Sequence, residues 1–460
     1  MTATPNILLI VLDALRQDAL ADALELPGRC LRAPVCISAA PWTLPSCTSI
    51  VTGAPATEHG RYWWSSPRSV GSLVPSLPDR YRTAGFVNNN MLTEGSGIDE
   101  GFDSWTYDHD HEEPFRRALR LINKTRSNRP QFLLLHSNIS HDYYLPGAAA
   151  IHGQVFPEDA VPRMLNHRVI SWKDTTAEER ESVPRTYEAC ARRLIERVRV
   201  VLEAVRQRDD FVTCITADHG EGLDYVRGRV HHGGRVHQDL VHVPLYFDLP
   251  SFLDHRGPWL QEILDRGPVS GTEVLPMLLA LAGQRPVEDV PALHDDDAGP
   301  VHVAEDRRYL YFRDRFRLNL HGRYKNMSAA EKERNRSLTD DLAEPPASRA
   351  YVRRSEKLTV TSLCLAENGS DPSELRDRLL ALAAQLPDAP LVALAGNRLF
   401  AFSLYDLAAD PVEDDNLLSA GPEWKQRLMS DGGWAGSVVV PTGAGPMDLA
   451  TMLERCEAVS

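Results

Sequence analysis

Apolar residues in this chain gather in short uninterrupted runs, and each run closes on polar or charged residues. Ile7 to Leu12 ends at Asp13, and a run from Pro130 to His136 ends in the polar loop that starts at Ser137. Phe211 to Ala217 ends at Asp218, and a further run covers Val243 to Phe247. Runs of this length with no alternation predict strands buried on both faces, as in parallel sheets. Between them lie helical patterns. From Val183 to Gln207, Leu194, Val198, Val201 and Leu202 fall on one face, which predicts an outer helix whose arginines form a solvated side. Val274 to Ala282 predicts another helix. Tyr81 to Asn88 reads as a helix end with a glycine stop at Gly85 followed by a strand, and Glu100 to Trp105 as a loop. Strands alternating with helices predict a doubly wound, mostly parallel α/β sheet. Past about Pro300 the pattern changes. Arg307 to Gly322 is rich in arginine and aromatics, and Ser328 to Arg354 is highly charged, as in a loop or surface helix. Lys357 to Leu365 and Leu399 to Tyr405 predict strands of a smaller antiparallel layer. The expected organisation is a catalytic α/β domain over 1–300 and a smaller α+β subdomain over 301–460 packing on it.

The residues that close the runs carry the candidate chemistry. Asp13 and the stretch Asp218-His219-Gly220-Glu221 stand at strand ends, where open α/β sheets bind ligands. The stretch Pro41-Trp42-Thr43-Leu44-Pro45-Ser46 reads as an extended loop entering a helix. Leu44 precedes a proline and is biased away from the helical region, so the turn is expected there, with Pro45 in the first helical turn. Thr43, just before a helix N-terminus, meets free N–H groups and a positive dipole end, which makes it the candidate nucleophile. Taken singly, Thr43 and Asp13 are also what an ordinary helix start requires. Taken together, Asp13, Thr43, Asp218 and His219 are a mixed oxygen and nitrogen set that one sheet edge can assemble around a divalent metal: zinc, manganese, magnesium or calcium. Such an ion lowers the pKa of the Thr43 hydroxyl and neutralises a phosphoryl or sulfuryl oxygen in the transition state. His141 and His232, from separate loops, can supply further donors to the non-bridging oxygens and the leaving group.

Composition narrows the partners. A formal net charge of -14 argues against a binder of nucleic-acid backbones and for a soluble acidic protein. It leaves an anionic small-molecule ester open as substrate, because a bound metal dominates the local field. Seven cysteines with no CxxC spacing indicate neither a disulfide framework nor a zinc knuckle. The apolar run at the N-terminus is too short for a signal peptide or a membrane span, so no membrane anchor and a cytoplasmic location are expected.

Pro5 to Asp18, the Thr43-Leu44-Pro45-Ser46 stretch with Thr52-Gly53, and Asp218-His219-Gly220-Glu221 resemble the sulfatase branch of the alkaline phosphatase superfamily. So do His136 to Pro146 with His141, His232-Gly233 with Val243-Pro244-Leu245, and Leu404 to Pro411, in the same order along the chain. The resemblance implies an alkaline phosphatase-like fold and one divalent ion on Asp13, Asp218, His219 and Thr43. It implies Thr43 as nucleophile, and His141 and His232 on the anionic group of the substrate. It places Glu221 behind the site, orienting His219 or the following helix, and leaves His136, His231 and His237 as structural neighbours. Three departures matter. Sulfatases carry Cys or Ser at the position of Thr43, followed by x-Pro-x-Arg, and convert it to formylglycine. Oxidation of Thr43 would yield a ketone, and Cys47 stands at the arginine position. Ala14 replaces a second metal-binding aspartate, and no Asp-x-x-x-His of the two-zinc relatives lies between His141 and Asp218. The resemblance then implies a single-metal hydrolase or small-molecule phosphotransferase acting on phosphate or phosphonate esters through a phosphothreonine. The alternatives are a sulfate ester or sulfamate hydrolase working without formylglycine, and a non-catalytic binding protein on the same fold.

Overall fold

The computed structural model describes residues 4–20, 30–62, 68–78, 81–124, 129–144, 177–224, 229–233, 236–287, 290, 301–306, 342–353 and, in shorter pieces, 356–458. The chain divides into two compact units, one of Met1–His232 with Asp239–Asp296, the other of Gly233–Gln238 with Asp297–Ser460.

The first unit is built on a seven-stranded sheet. Its strands are β1 (Asn6–Leu12), β2 (Cys30–Arg32), β3 (Arg82–Val87), β4 (Ser104–Tyr107), β5 (Gln131–Ser137), β6 (Phe211–Ala217) and β7 (Leu245–Asp248), in the spatial order β2-β7-β6-β1-β5-β3-β4. The central strand β1 runs parallel to both β5 and β6, β3 and β4 continue the parallel set, β7 runs antiparallel to β6, and β2, antiparallel to β7, returns to the common direction. Every residue of β1, β5 and β6 is buried, as their unbroken apolar runs require. Each such Leu or Ile contributes about 1.5–3 kcal/mol by leaving water, so side chains hold β1 at the centre. The helices α1 (Thr43–Thr52), α2 (Glu113–Ile122) and α3 (Ala177–Arg208) complete the frame of the site. Helix α3 buries Leu194, Val198, Val201 and Leu202, the expected stripe. Two of its arginines, Arg193 and Arg197, pair with Glu112.

The second unit holds an antiparallel sheet of β8 (Val301–Asp306), β9 (Leu342–Arg353), β10 (Glu356–Leu365), β11 (Leu391–Ala395), β12 (Arg398–Asp406) and β13 (Cys456–Ala458), in the order β8-β9-β10-β12-β11-β13. Its two faces carry separate apolar clusters, one with Phe400, Phe402 and Trp434, the other with Leu363, Leu379 and Leu399. A large mostly parallel sheet with a smaller antiparallel one is the fold class that the sequence pattern predicts.

Several local expectations are corrected. Gly85 is no helix stop but lies inside β3, where a Cβ would come within 2.0 Å of the Trp105 ring. The glycine makes room for that indole. The end of the expected loop, from Ser104, is the edge strand β4. Helix α1 begins at Thr43 rather than after Leu44. Pro45 is its third residue, where the N–H has no partner within the helix, so proline costs nothing there. The charged stretch ending at Arg354 contains the strand β9, held by pairing with β10 on one side and β8 on the other. Arg307 to Gly322, Trp63-Trp64 and Asp410-Pro411 lie outside the described residues. Among the described residues, no helix is long and apolar enough to cross a membrane.

Candidate active site

Strand pairing sets the site. Leu12 is in register with Ala217 of β6 and with Ser137 of β5, so Asp13, Asn138 and Asp218 emerge side by side at one edge. Ala14, at φ 57, then takes a left-handed backbone turn that costs an alanine on the order of 1 kcal/mol. That turn aims the Ala14 N–H at Asp218 Oδ1 (3.2 Å), and the Ala14 carbonyl accepts from the Tyr187 hydroxyl (2.8 Å). Asp218 Oδ1 also accepts from the His219 N–H (2.8 Å), which leaves Oδ2 facing the interior. Next to it, Gly220 is demanded by close approach: a Cβ there would lie 2.1 Å from the Asp239 carbonyl oxygen. His219 Nδ1 is 2.7 Å from the Gly220 carbonyl oxygen, so Nδ1 holds the proton and Nε2 keeps its lone pair for the site.

Helix α1 delivers Thr43 as its first residue, after Trp42, whose side chain makes no capping bond. Ser46 Oγ, one turn inside, donates to the Asp218 carbonyl (2.5 Å) and ties the helix to the end of β6. Thr43 Oγ1 consequently sits 3.3 Å from Asp13 Oδ2 and 3.3 Å from His219 Nε2. Two imidazole–carboxylate pairs flank this group. His141 Nδ1 bonds Asp142 Oδ1 (2.8 Å), and His232 Nδ1 bonds Glu221 Oε2 (2.8 Å). The ring of His232 lies 5.0 Å from that of His141 and 4.6 Å from that of His219. The structure thus brings together Asp13, Thr43, Asp218, His219, His141 and His232.

The electrostatics are unbalanced. Asp13 and Asp218 are both fully buried. Burial and the charge of Asp218 hold the Asp13 carboxyl above its ordinary range. Burial opposes ionisation of Asp218 as well, but the His219 and His136 imidazoles and the Ala14 N–H win and hold it low. Burial likewise opposes charge on His141, and the Asp13 and Asp142 carboxylates overcome it, raising the imidazole to about 10. Asp13 Oδ2 accepts from Asn89 Nδ2 (2.6 Å), whereas Asp13 Oδ1 is buried with no hydrogen-bond donor. That atom lies 3.4 Å from His219 Nε2, and Asp218 Oδ2 lies 3.7 Å from the same nitrogen. Oxygen and nitrogen donors around one tetrahedral zinc-sized ion stand about 3.3 Å apart, so Asp13, Thr43, Asp218 and His219 fit a divalent cation in both spacing and charge.

One residue differs from its expected role. Glu221 does not orient His219, whose Nδ1 is taken by the Gly220 carbonyl; it holds His232. His136 is a close neighbour: its Nε2 is 3.7 Å from Asp13 Oδ2 and 3.6 Å from Asp218 Oδ2. Arg16 pairs with Asp18 at 2.5 Å and donates to the Glu221 carbonyl (3.1 Å). His231 Nδ1 is 3.8 Å from Glu221 Oε1, and His237 bonds Glu413 in the second unit. Sequence reasoning missed Asn89, Asp142 and His111, whose Nε2 lies 3.3 Å from Asp142 Oδ2. The signal for Asn89 was present: Asn88-Asn89-Asn90 closes an apolar strand just as Asp13 and Asp218 do.

Comparison with known proteins identifies the family and the fold. The sulfatase family model matches residues 5–283. The low-salt glycan biosynthesis sulfotransferase of Haloferax volcanii is 26% identical over 284 residues, 61% of this chain and 61% of that protein. The chain thus spans about three-fifths of the length of the curated relative that it matches. Among solved structures, a 2-O GAG sulfatase is similar at a TM-score of 0.59 and 16% identity, covering 93% of this chain and 90% of that one. The phosphonate monoester hydrolase of Agrobacterium radiobacter is similar at 0.54 and 14%, covering 96% and 99%. At such identities these structures speak for the fold.

Proposed function

The chain belongs to the sulfatase family, and we propose that within it the protein is a metal-dependent phosphoesterase or small-molecule phosphotransferase that uses Thr43 as nucleophile. The observation that carries this reading is the position of Thr43 Oγ1. It lies at the N-terminus of α1, 3.3 Å from both Asp13 Oδ2 and His219 Nε2, with no capping role of its own. Asp13, Asp218, His219 and Thr43 would hold the cation. When bound it supplies the positive charge that lowers the pKa of the hydroxyl and offsets the charge gathering on the transferring group.

The remaining work falls to side chains. Asp13 Oδ2 is placed to take the Thr43 proton. The Thr43 Oγ1–P bond forms as the ester O–P bond breaks, and the departing alkoxide takes a proton from His141 or His232. Asp142 and Glu221 fix the two rings by their Nδ1 atoms, so that each can present Nε2 to the substrate. In the second half, water or an acceptor hydroxyl gives its proton back to that imidazole and attacks phosphorus. The Oγ1–P bond then breaks and Thr43 regains its proton. A free N–H end of α1 faces the anionic group throughout.

A second reading, sulfuryl transfer with the same residues, is supported by the name of the Haloferax relative. Paired assays on aryl phosphate, phosphonate and sulfate esters, with Thr43→Ala alongside, separate the two. The first reading expects turnover of the phosphorus esters and a loss of roughly 10⁴-fold or more in kcat for the variant. Turnover of the sulfate ester alone would replace it by the second. Undiminished phosphoester turnover by Thr43→Ala would remove Thr43 from the chemistry.

A further inference from the structure

Behind the proposed nucleophile lies a second group of donors that the mechanism does not use. One turn after Thr43 on α1, Cys47 Sγ points at the same aspartate and lies 3.8 Å from Asp218 Oδ2. His136, near the end of β5, approaches that oxygen from another direction, with Nε2 at 3.6 Å. A ligand atom of each of Cys47, His136 and Asp218 lies within 4.8 Å of the other two. All three side chains are buried: Cys47 is 4% exposed, and His136 and Asp218 are 0% exposed.

We propose that Cys47 Sγ, His136 Nε2 and Asp218 Oδ2 form a second divalent-cation site, selective for a thiophilic ion of the zinc class and sharing Asp218 with the first. The site stands on its own residues and does not depend on which ester the enzyme cleaves.

The decisive observation is His136. It is fully buried, Nδ1 makes no hydrogen bond, and Nε2 meets only the Asp13 and Asp218 carboxylates, at 3.7 and 3.6 Å, beyond good hydrogen-bond distance. Burying an imidazole so incompletely satisfied is costly, and a bound cation would complete it. The spacings fit. Donors around a tetrahedral zinc stand about 3.3 Å apart for nitrogen and oxygen and about 3.5 Å for sulfur and oxygen. The observed separations of 3.6 and 3.8 Å exceed these by a few tenths of an ångström. The donor set also sorts by chemistry. A thiolate and an imidazole favour zinc, whereas the oxygen-rich first set accepts harder ions as well. Binding is an exchange: the Sγ–metal bond forms as the Cys47 thiol releases its proton to solvent.

Cobalt(II) replaces zinc in such sites and reports a thiolate ligand through a sulfur-to-metal charge-transfer band in the near ultraviolet. The full chain, stripped with chelator and titrated with Co²⁺, is expected to bind two ions, one of which brings up the band. Cys47→Ser and His136→Ala are expected to bind one ion, without the band for the first and with the band lost or shifted for the second. Asp13→Asn is expected to lose the other ion and keep the band. One cobalt per chain with no band in the unmodified protein would overturn the proposal, whatever the variants do. So would a band that persists at full strength in Cys47→Ser. Because the deciding measurement uses the unmodified chain, it does not depend on a variant folding, and it leaves the role of Thr43 untouched.

Discussion

Two of the places where the molecule buries charge are treated in opposite ways. In the second unit, Lys357 and Glu413 are both buried, and Lys357 Nζ lies 2.8 Å from Glu413 Oε1. Glu413 also accepts from the Gln238 N–H (2.6 Å) and bonds His237 Nδ1 (3.3 Å), and Lys357 donates to the Val236 carbonyl. That cluster carries its own countercharge. Burial opposes the Glu413 carboxylate, yet Lys357 and His237 hold its pKa down at about 2. At the edge of the large sheet, Asp13 and Asp218 are equally buried, and no lysine or arginine is among their described partners. Asp13 is pushed up instead of down. A buried ion pair that is complete within the chain serves folding. A buried cluster short of positive charge is completed by something the chain binds.

Four experiments test that contrast. Glu413→Gln leaves Lys357 buried without its carboxylate and is expected to cost about 3–5 kcal/mol, read as a lowered denaturation midpoint. The same pair should give the second unit an acid limb. Because the folded pKa of Glu413 is about 2, below its ordinary 4.5, the pair contributes its full stability above pH 4.5. That contribution, on the order of 3 kcal/mol, is lost as pH falls through the window toward 2 and is absent in Glu413→Gln. Glu221→Gln removes the charge that orients His232 while preserving shape, and is expected to lower kcat by about 10–100-fold with metal content unchanged. The smallest effect has the sharpest sign. In chelated protein, Asp13→Asn relieves repulsion and should raise stability by about 1 kcal/mol. In metal-loaded protein it should lower the midpoint. A destabilised chelated variant would mean that Asp13 is satisfied by the chain alone.

The contrast also marks how far sequence could reach. Strands β1, β5 and β6 were legible because an unbroken apolar run has few other uses, and their closing residues, Asp13 and Asp218, followed directly. Their adjacency was not, because it depends on strand order, which no local pattern carries. His136 illustrates the cost: it is the next-to-last residue of β5, opposite Val11 of β1, and only the parallel pairing of β1 with both neighbours brings it near the two carboxylates. Glu221 was legible as a residue near the site but not as the partner of His232. The two meet because Gly222–Asp224 pairs antiparallel with Arg229–His231, which folds the chain back on itself. Gly85 shows the reverse error: a glycine in a strand marks a large neighbour, and Trp105 was far away in sequence. Strand β9 was hidden by its charges: Arg349 lies inside it, fully buried and in register with Val360 of β10, which no local pattern announces.

The central claim is that Thr43 becomes covalently bonded to the transferred group at a site whose missing positive charge a cation supplies. Intact-protein and peptide mass spectrometry after brief incubation with an aryl phosphodiester and Mn²⁺ or Zn²⁺ tests it most directly. The account predicts an increment on the Thr43 peptide equal to the phosphoryl group with the ester group it retains after aryloxide leaves, which requires the metal and is absent from Thr43→Ala. Steady turnover of that ester with the increment on another residue, or an increment that forms equally well in chelator, would contradict it.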